Sequence, residues 1–162
     1  MADLDRRNVR VGLPQGWEGE ILERPQMERE IDPDGSLTVA SAAPSLVTLH
    51  AANFALPPVR GDYGSGAVEV MPADGVFVAL LEFGPESAGT ALFALEGLPL
   101  PLDPAAFTPR QLQRPQAGQS GLQTFCTIGG RPFCVYVVIG NYLEAAPLVA
   151  KADALLAGLQ VG

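Results

Sequence analysis

Residues 122–139 read LQTFCTIGGRPFCVYVVI, two runs rich in β-branched and aromatic residues on either side of a glycine pair. Adjacent glycines accept the positive φ angles of a tight two-residue turn, so the segment predicts an antiparallel hairpin closed by Gly129 and Gly130. In that register Ile128 faces Arg131 and Cys126 faces Phe133. Side chains alternate along a strand, which places Leu122, Cys126, Phe133, Val135 and Val137 on one apolar face. Cys134 falls on the other face beside Phe125 and Tyr136, and thiols on opposite faces of a sheet cannot bridge. The expectation is two reduced thiols, whereas a three-residue loop would set the cysteines opposite each other.

Downstream, Leu148, Val149, Ala152, Leu155, Leu156 and Leu159 recur at the spacing of one helical stripe, with Pro147 near the start and Gly158 at the stop. Lys151 and Asp153 are expected on the wet side of this amphipathic C-terminal helix. Upstream, the nearly continuous apolar run Val76–Phe83 reads as a central strand covered on both faces. Val9–Leu13, Glu18–Leu22 and Leu46–Phe54 add further strands, with Leu46, Thr48 and His50 on one side of the last. Leu92–Leu95 reads as another short strand, and Ala67–Met71 as a short strand or helical turn. Residues 23–45, with Glu28, Glu30, Asp32 and Asp34 ahead of Ser36, Ser41 and Pro44, read as an exposed irregular excursion. Five prolines forbid a long element in 98–120, leaving short turns at Asp103-Pro104 and Thr108-Pro109, each a cap residue followed by proline. The fold class is therefore α+β, an antiparallel β-sheet with packed helices, in a single domain over 1–162.

Composition excludes several functions. Ten cations, scattered along the chain, against 18 carboxylates give a formal charge of -8. Such a field repels nucleic acid, whose binding needs clustered cations. The longest apolar run, Pro132–Gly140, is too short to span a bilayer, and Met1–Arg10 is polar with no signal-peptide core. A cytoplasmic location is expected, and the wealth of Ala, Gly and Pro with one lysine suggests a bacterial source.

No motif assembles a reaction centre. His50 is the only histidine, and no Cys, His and carboxylate spacing supplies a metal site, so neither metal nor cofactor is expected. A hydrolase or transferase would have to pair His50 with Cys126, Cys134 or a serine; Ser120 sits in a Gly-Gln-Ser-Gly run that lacks the spacing of a nucleophile elbow. Gly61, Gly64 and Gly66 fit neither a dinucleotide nor a P-loop pattern. The acidic 28–34 stretch has no EF-hand register. Trp17 is expected to cover one end of the core. Arg60, Asp62 and Tyr63 in the Pro/Gly loop, Arg131 at the hairpin tip and Tyr142 beyond it are the candidate partner contacts, being interface-favoured types or loop residues.

The segment Val11-Gly-Leu-Pro-Gln-Gly-Trp17 resembles the leucine-proline-x-glycine-tryptophan opening of PsbP-like domains. That superfamily takes in PsbP itself, LpqN-type lipoproteins and effector-associated chaperones of type VI secretion. A central apolar strand, a late hairpin and a final helix ending in Leu155-Leu-Ala-Gly-Leu159 follow in the same order. The resemblance implies an αβα sandwich around an antiparallel sheet, and a family that mostly binds proteins. It carries over no site residue. The reading is a non-enzymatic protein-binding module (adaptor, accessory subunit or chaperone); the alternatives are the His50 enzyme above and a small-ligand carrier with a cavity between sheet and helix.

Overall fold

A computed structural model describes residues 2–31, 33–35 and 37–162, the side chains of 27–31 and 37–44 excepted. Eight strands and one α-helix give a mixed α+β fold: β1 (Ala2–Arg6), β2 (Val9–Leu13), β3 (Glu18–Ile31), β4 (Leu37–Ala52), β5 (Val76–Glu82), β6 (Ser120–Ile128), β7 (Arg131–Ile139), α1 (Ala145–Leu156) and β8 (Gln160–Val161). Five strands form one antiparallel sheet in the order β3-β4-β5-β7-β6, and β1-β2-β8 form a second, smaller one.

The β6–β7 hairpin has the register its sequence requires, with Ile128 opposite Arg131 and Cys126 opposite Phe133. Gly129 and Gly130 take φ of 59° and 77°, the left-handed pair that matches strand twist. Both cysteines are free and buried, one on each face. Every residue of β5 is buried, as befits a strand with a neighbour on each edge and cover on each face.

The two faces are covered differently. Val76, Val78 and Leu80 of β5 meet Leu148, Val149, Ala152, Leu155 and Leu156 of α1, together with Val9, Val11 and Leu13 of the small sheet. Trp17 is half-buried against the same cluster. On the opposite face Phe77, Ala79 and Leu81 pack with Cys134, Tyr136 and Val138 beneath the 53–75 connection and Leu112. Among the described residues α1 is the one α-helix, so this second cover is loop and 3-10 turn rather than a second helical layer. The prolines and glycines of both covering segments account for that.

Several expectations change. The charged N-terminal residues form β1, an exposed edge strand in which only Leu4 is partly buried. Leu92–Leu95 is no strand; a 3-10 turn spans Ala91–Phe93, followed by an isolated bridge from Glu96 to Thr127. Asp153 leaves the wet side of α1 and accepts a hydrogen bond from the Leu102 amide at 2.9 Å. Most of 23–45, read as an irregular excursion, is the outer part of the β3–β4 ladder. Pairing skips between Arg24↔Leu46 and Gln26↔Ala43, where Pro25 lies opposite Pro44 and Ser45. Proline cannot donate to a ladder, so a bulge forms at that point and the pairing then resumes. The side chains of Glu28 and Glu30, and Asp32 altogether, lie outside the described residues.

Candidate functional site

His50 and the Pro/Gly loop come together on the second face. His50 is fully buried on β4, its ring tilted against Phe77 at 5.3 Å. Arg60 Nε donates to His50 Nδ1 at 3.0 Å, which makes that nitrogen an acceptor and puts the proton on Nε2. Nε2 then donates to the Asp62 carbonyl at 2.8 Å. The imidazole is thus neutral with both nitrogens engaged. Burial pushes its pKa down; the Asp62 carbonyl opposes that shift, and the Arg60 charge adds to it. The Arg60 side chain is only 5% exposed, and it also reaches the Glu20 carboxylate at 2.6 Å and the Pro57 carbonyl. Gly64 lies on Phe77 with φ of 83°, where a Cβ would come within 2.5 Å of the ring. The glycine loop is therefore a fitted cover that only glycine allows to lie so close.

Among the described residues both ring nitrogens of His50 are bonded, to Arg60 and to the Asp62 carbonyl, and neither meets a thiol or a hydroxyl. Cys134 shares its face but stands across β5 and two residues along β7 from Tyr136, the position in register with His50, about 12 Å away. Its sulfur accepts from Gln123 Nε2 at 3.5 Å. Cys126 and Ser120 lie on the opposite face by strand alternation. Burial pushes the Cys126 thiol up to about 11 and raises Cys134 as well, so neither is a ready thiolate. Tyr63, half-buried and edge-on to Tyr136 at 5.4 Å, is pushed up to about 12 by burial and by Cys134 beside it. Of the expected contact residues, Arg60 is spent inside the fold, whereas Asp62 and Tyr142 are exposed.

Arg131 is also engaged internally. Its guanidinium grips Glu82 through Nε at 2.8 Å and Nη2 at 3.0 Å, and donates to the Arg7 carbonyl at 2.8 Å and more distantly to that of Gly162. The Glu82 carboxylate additionally accepts from the Val47 amide at 3.0 Å, and Arg24 donates to the Glu82 carbonyl. The Arg131–Glu82 pair lines a cleft of about 370 Å³ between the base of the β3–β4 ladder and the body, walled by Ser45, Leu46, Phe83, Pro85 and Pro132. Neither Glu82 nor Arg24 is among the residues expected from sequence. The available signal was a carboxylate interrupting the apolar run Val76–Phe83.

Among the described residues no group of three or more His, Cys, Asp or Glu side chains is placed to hold a metal ion, and no helix is long and apolar enough to cross a membrane. Comparison with protein-family models, curated proteins and solved structures returns no match.

Proposed function

We propose that this chain is a non-catalytic protein-binding module, of adaptor, accessory-subunit or chaperone type, and that the β3–β4 ladder is the arm it offers to its partner. The observation that carries the reading is the mismatch in strand length. β4 pairs with β5 only over Thr48–Ala52, yet its ladder with β3 continues to Leu37 opposite Ile31. Beyond Val47 the arm is two-stranded among the described residues, so each strand turns a row of backbone donors and acceptors outward. Such edges are templates for strand addition by another chain. The opposite edge of the sheet is treated otherwise. There Thr108 exchanges backbone bonds with Gly121 at 2.9 and 3.1 Å, Gln111 Oε1 takes the Gln123 amide, and Leu95 and Gly97 bracket Thr127. One edge is covered and the other is left open.

Membership of the PsbP-like group is part of the same proposal, supported by Leu13–Trp17, the antiparallel sheet and the terminal helix in that order. The His50 enzyme reading loses its support, because that ring is committed to Arg60 and Asp62.

The test is site-specific photo-crosslinking in the source cells. A crosslinking residue at Ser41 is expected to give a discrete adduct, and one at exposed Lys151 on α1 to give none. Replacing residues 25–45 by Asn-Gly, a type I′ turn joining Arg24 to Leu46, should leave the circular dichroism spectrum native and abolish binding of the partner identified in that adduct. No adduct from the arm, or undiminished binding by the armless chain, overturns the reading.

A further inference from the structure

Along β4 and β5, hydrogen-bonded pairs alternate, and Asn53 N donating to Val76 O at 3.3 Å sets the phase. The phase makes Val47 and Glu82 the next bonded rung after Leu49 and Leu80. That rung is not made by backbone. The Glu82 carboxylate takes the Val47 amide, and the Arg24 guanidinium takes the Glu82 carbonyl. Two side chains thus wedge the strands apart, and the cleft opens where the ladder fails. Its volume falls within the range of ligand sites.

The chemistry of the cleft is specific. Leu46, Phe83, Pro85 and Pro132 give apolar walls. Arg7 lines it with a side chain 39% exposed, and its nearest carboxylate, on Glu23, is 3.6 Å away, too far for a hydrogen bond. Arg6 shares Glu23 at 3.6 Å. Arg6 and Arg7 therefore share one carboxylate, Glu23, Arg131 is paired with Glu82, and Arg24 sits on the Glu82 backbone carbonyl, so four cations stand against two carboxylates here in a chain whose net charge is -8.

We propose that this cleft binds an acidic segment of a partner protein in extended conformation. The segment runs alongside the part of β4 that β5 abandons, sets its apolar side chains against Leu46 and Phe83, and places a carboxylate on Arg7. The proposal rests on the protein-binding reading and adds to it the site and the charge of what is bound.

Fluorescence anisotropy with the full chain tests it, using a labelled octapeptide of alternating valine and glutamate and its counterpart with glutamine in place of glutamate. The glutamate peptide is expected to bind about tenfold more tightly, with the preference shrinking as salt rises above about 0.15 M. Arg7→Gln, on an exposed turn, should remove most of that preference and leave the melting temperature unchanged. Backbone amide shifts on titration should centre on Leu46, Phe83 and Gly130. Equal affinity for the two peptides, no binding of either at about millimolar concentration, an unaltered Arg7→Gln variant, or shifts centred elsewhere each overturn the site. If the peptides fail while arm crosslinks persist, the cleft falls and the module reading stands. If the glutamate peptide binds but the arm gives no adduct, the cleft stands and the arm reading falls.

Discussion

The two faces of the five-stranded sheet solve the same problem in opposite ways. The first is covered chiefly by α1 and by β2, elements that satisfy their own backbone groups within the helix or the ladder, with Leu98, Leu100, Leu102 and Phe107 packed beside them, so the contact surface is almost wholly apolar. The second is covered by connections whose turns satisfy only part of their backbone groups, and polar side chains in and beside the sheet bond others. His50 takes the Asp62 carbonyl, the Tyr136 hydroxyl takes the Gln113 amide, and Thr127 takes the Phe93 carbonyl. Gln119 takes the Val68 carbonyl, and Asn53 bonds both the Asp74 carbonyl and the Val76 amide. The lesson is that a buried histidine, tyrosine or glutamine here follows from irregular cover and needs no catalytic role to explain it.

If the faces differ in this way, they should fail differently. Leu155→Ala on the helical face is expected to cost about 2–5 kcal/mol by opening a cavity in the shared core, read as a lower denaturant midpoint with an unchanged slope. Hydrogen exchange should then accelerate across the sheet as a whole. Arg60→Ala on the loop face should cost less, about 1–3 kcal/mol, since it orphans His50 Nδ1 and the Pro57 carbonyl without removing core volume. Its signature is local: proteolysis within 57–66 while α1 amides keep their protection. Loss of α1 protection in that variant would show that the two covers are not independent.

Acid sharpens the contrast further. The folded pKa of His50 is depressed, so below the unfolded value of about 6.5 the unfolded chain takes up a proton that the folded chain resists. Stability from this group is fully present above that value and is lost as pH falls below it. His50→Gln should flatten the melting temperature between about pH 6.5 and 5, the range in which His alone titrates normally. An unchanged slope would mean that His50 does not hold the cover.

The smallest effect is alkaline and belongs to the thiols. Cys126 remains protonated in the folded chain up to about 11, against an ordinary 9.0. The unfolded chain therefore loses that proton first, and stability falls as pH rises from 9 toward 11. Cys126→Ala should lessen that fall, and a thiol reagent at neutral pH should label neither cysteine until denaturant is added.

Much of the architecture was legible along the chain. The Gly129-Gly130 turn set the hairpin register, the alternation in 46–52 set which side of β4 His50 occupies, and the Leu148–Leu156 stripe set the buried side of α1. Asp103-Pro104 and Thr108-Pro109 likewise open 3-10 turns, each with its cap accepting from the amide two residues on. These signals are local: which side chains leave the water depends on a period of two or 3.6 within one element. What His50, Arg60 and Glu82 bond to is not local, since every partner but Pro57 lies 10 to 58 positions away. A composition rich in charge and proline concealed the arm for the same reason, because its strands hold together through pairing across the hairpin. Local periodicity was enough to assign the apolar faces. Which polar groups remain open followed from the assembled fold, because a hydrogen-bond partner is assigned by where the covering chain comes to rest.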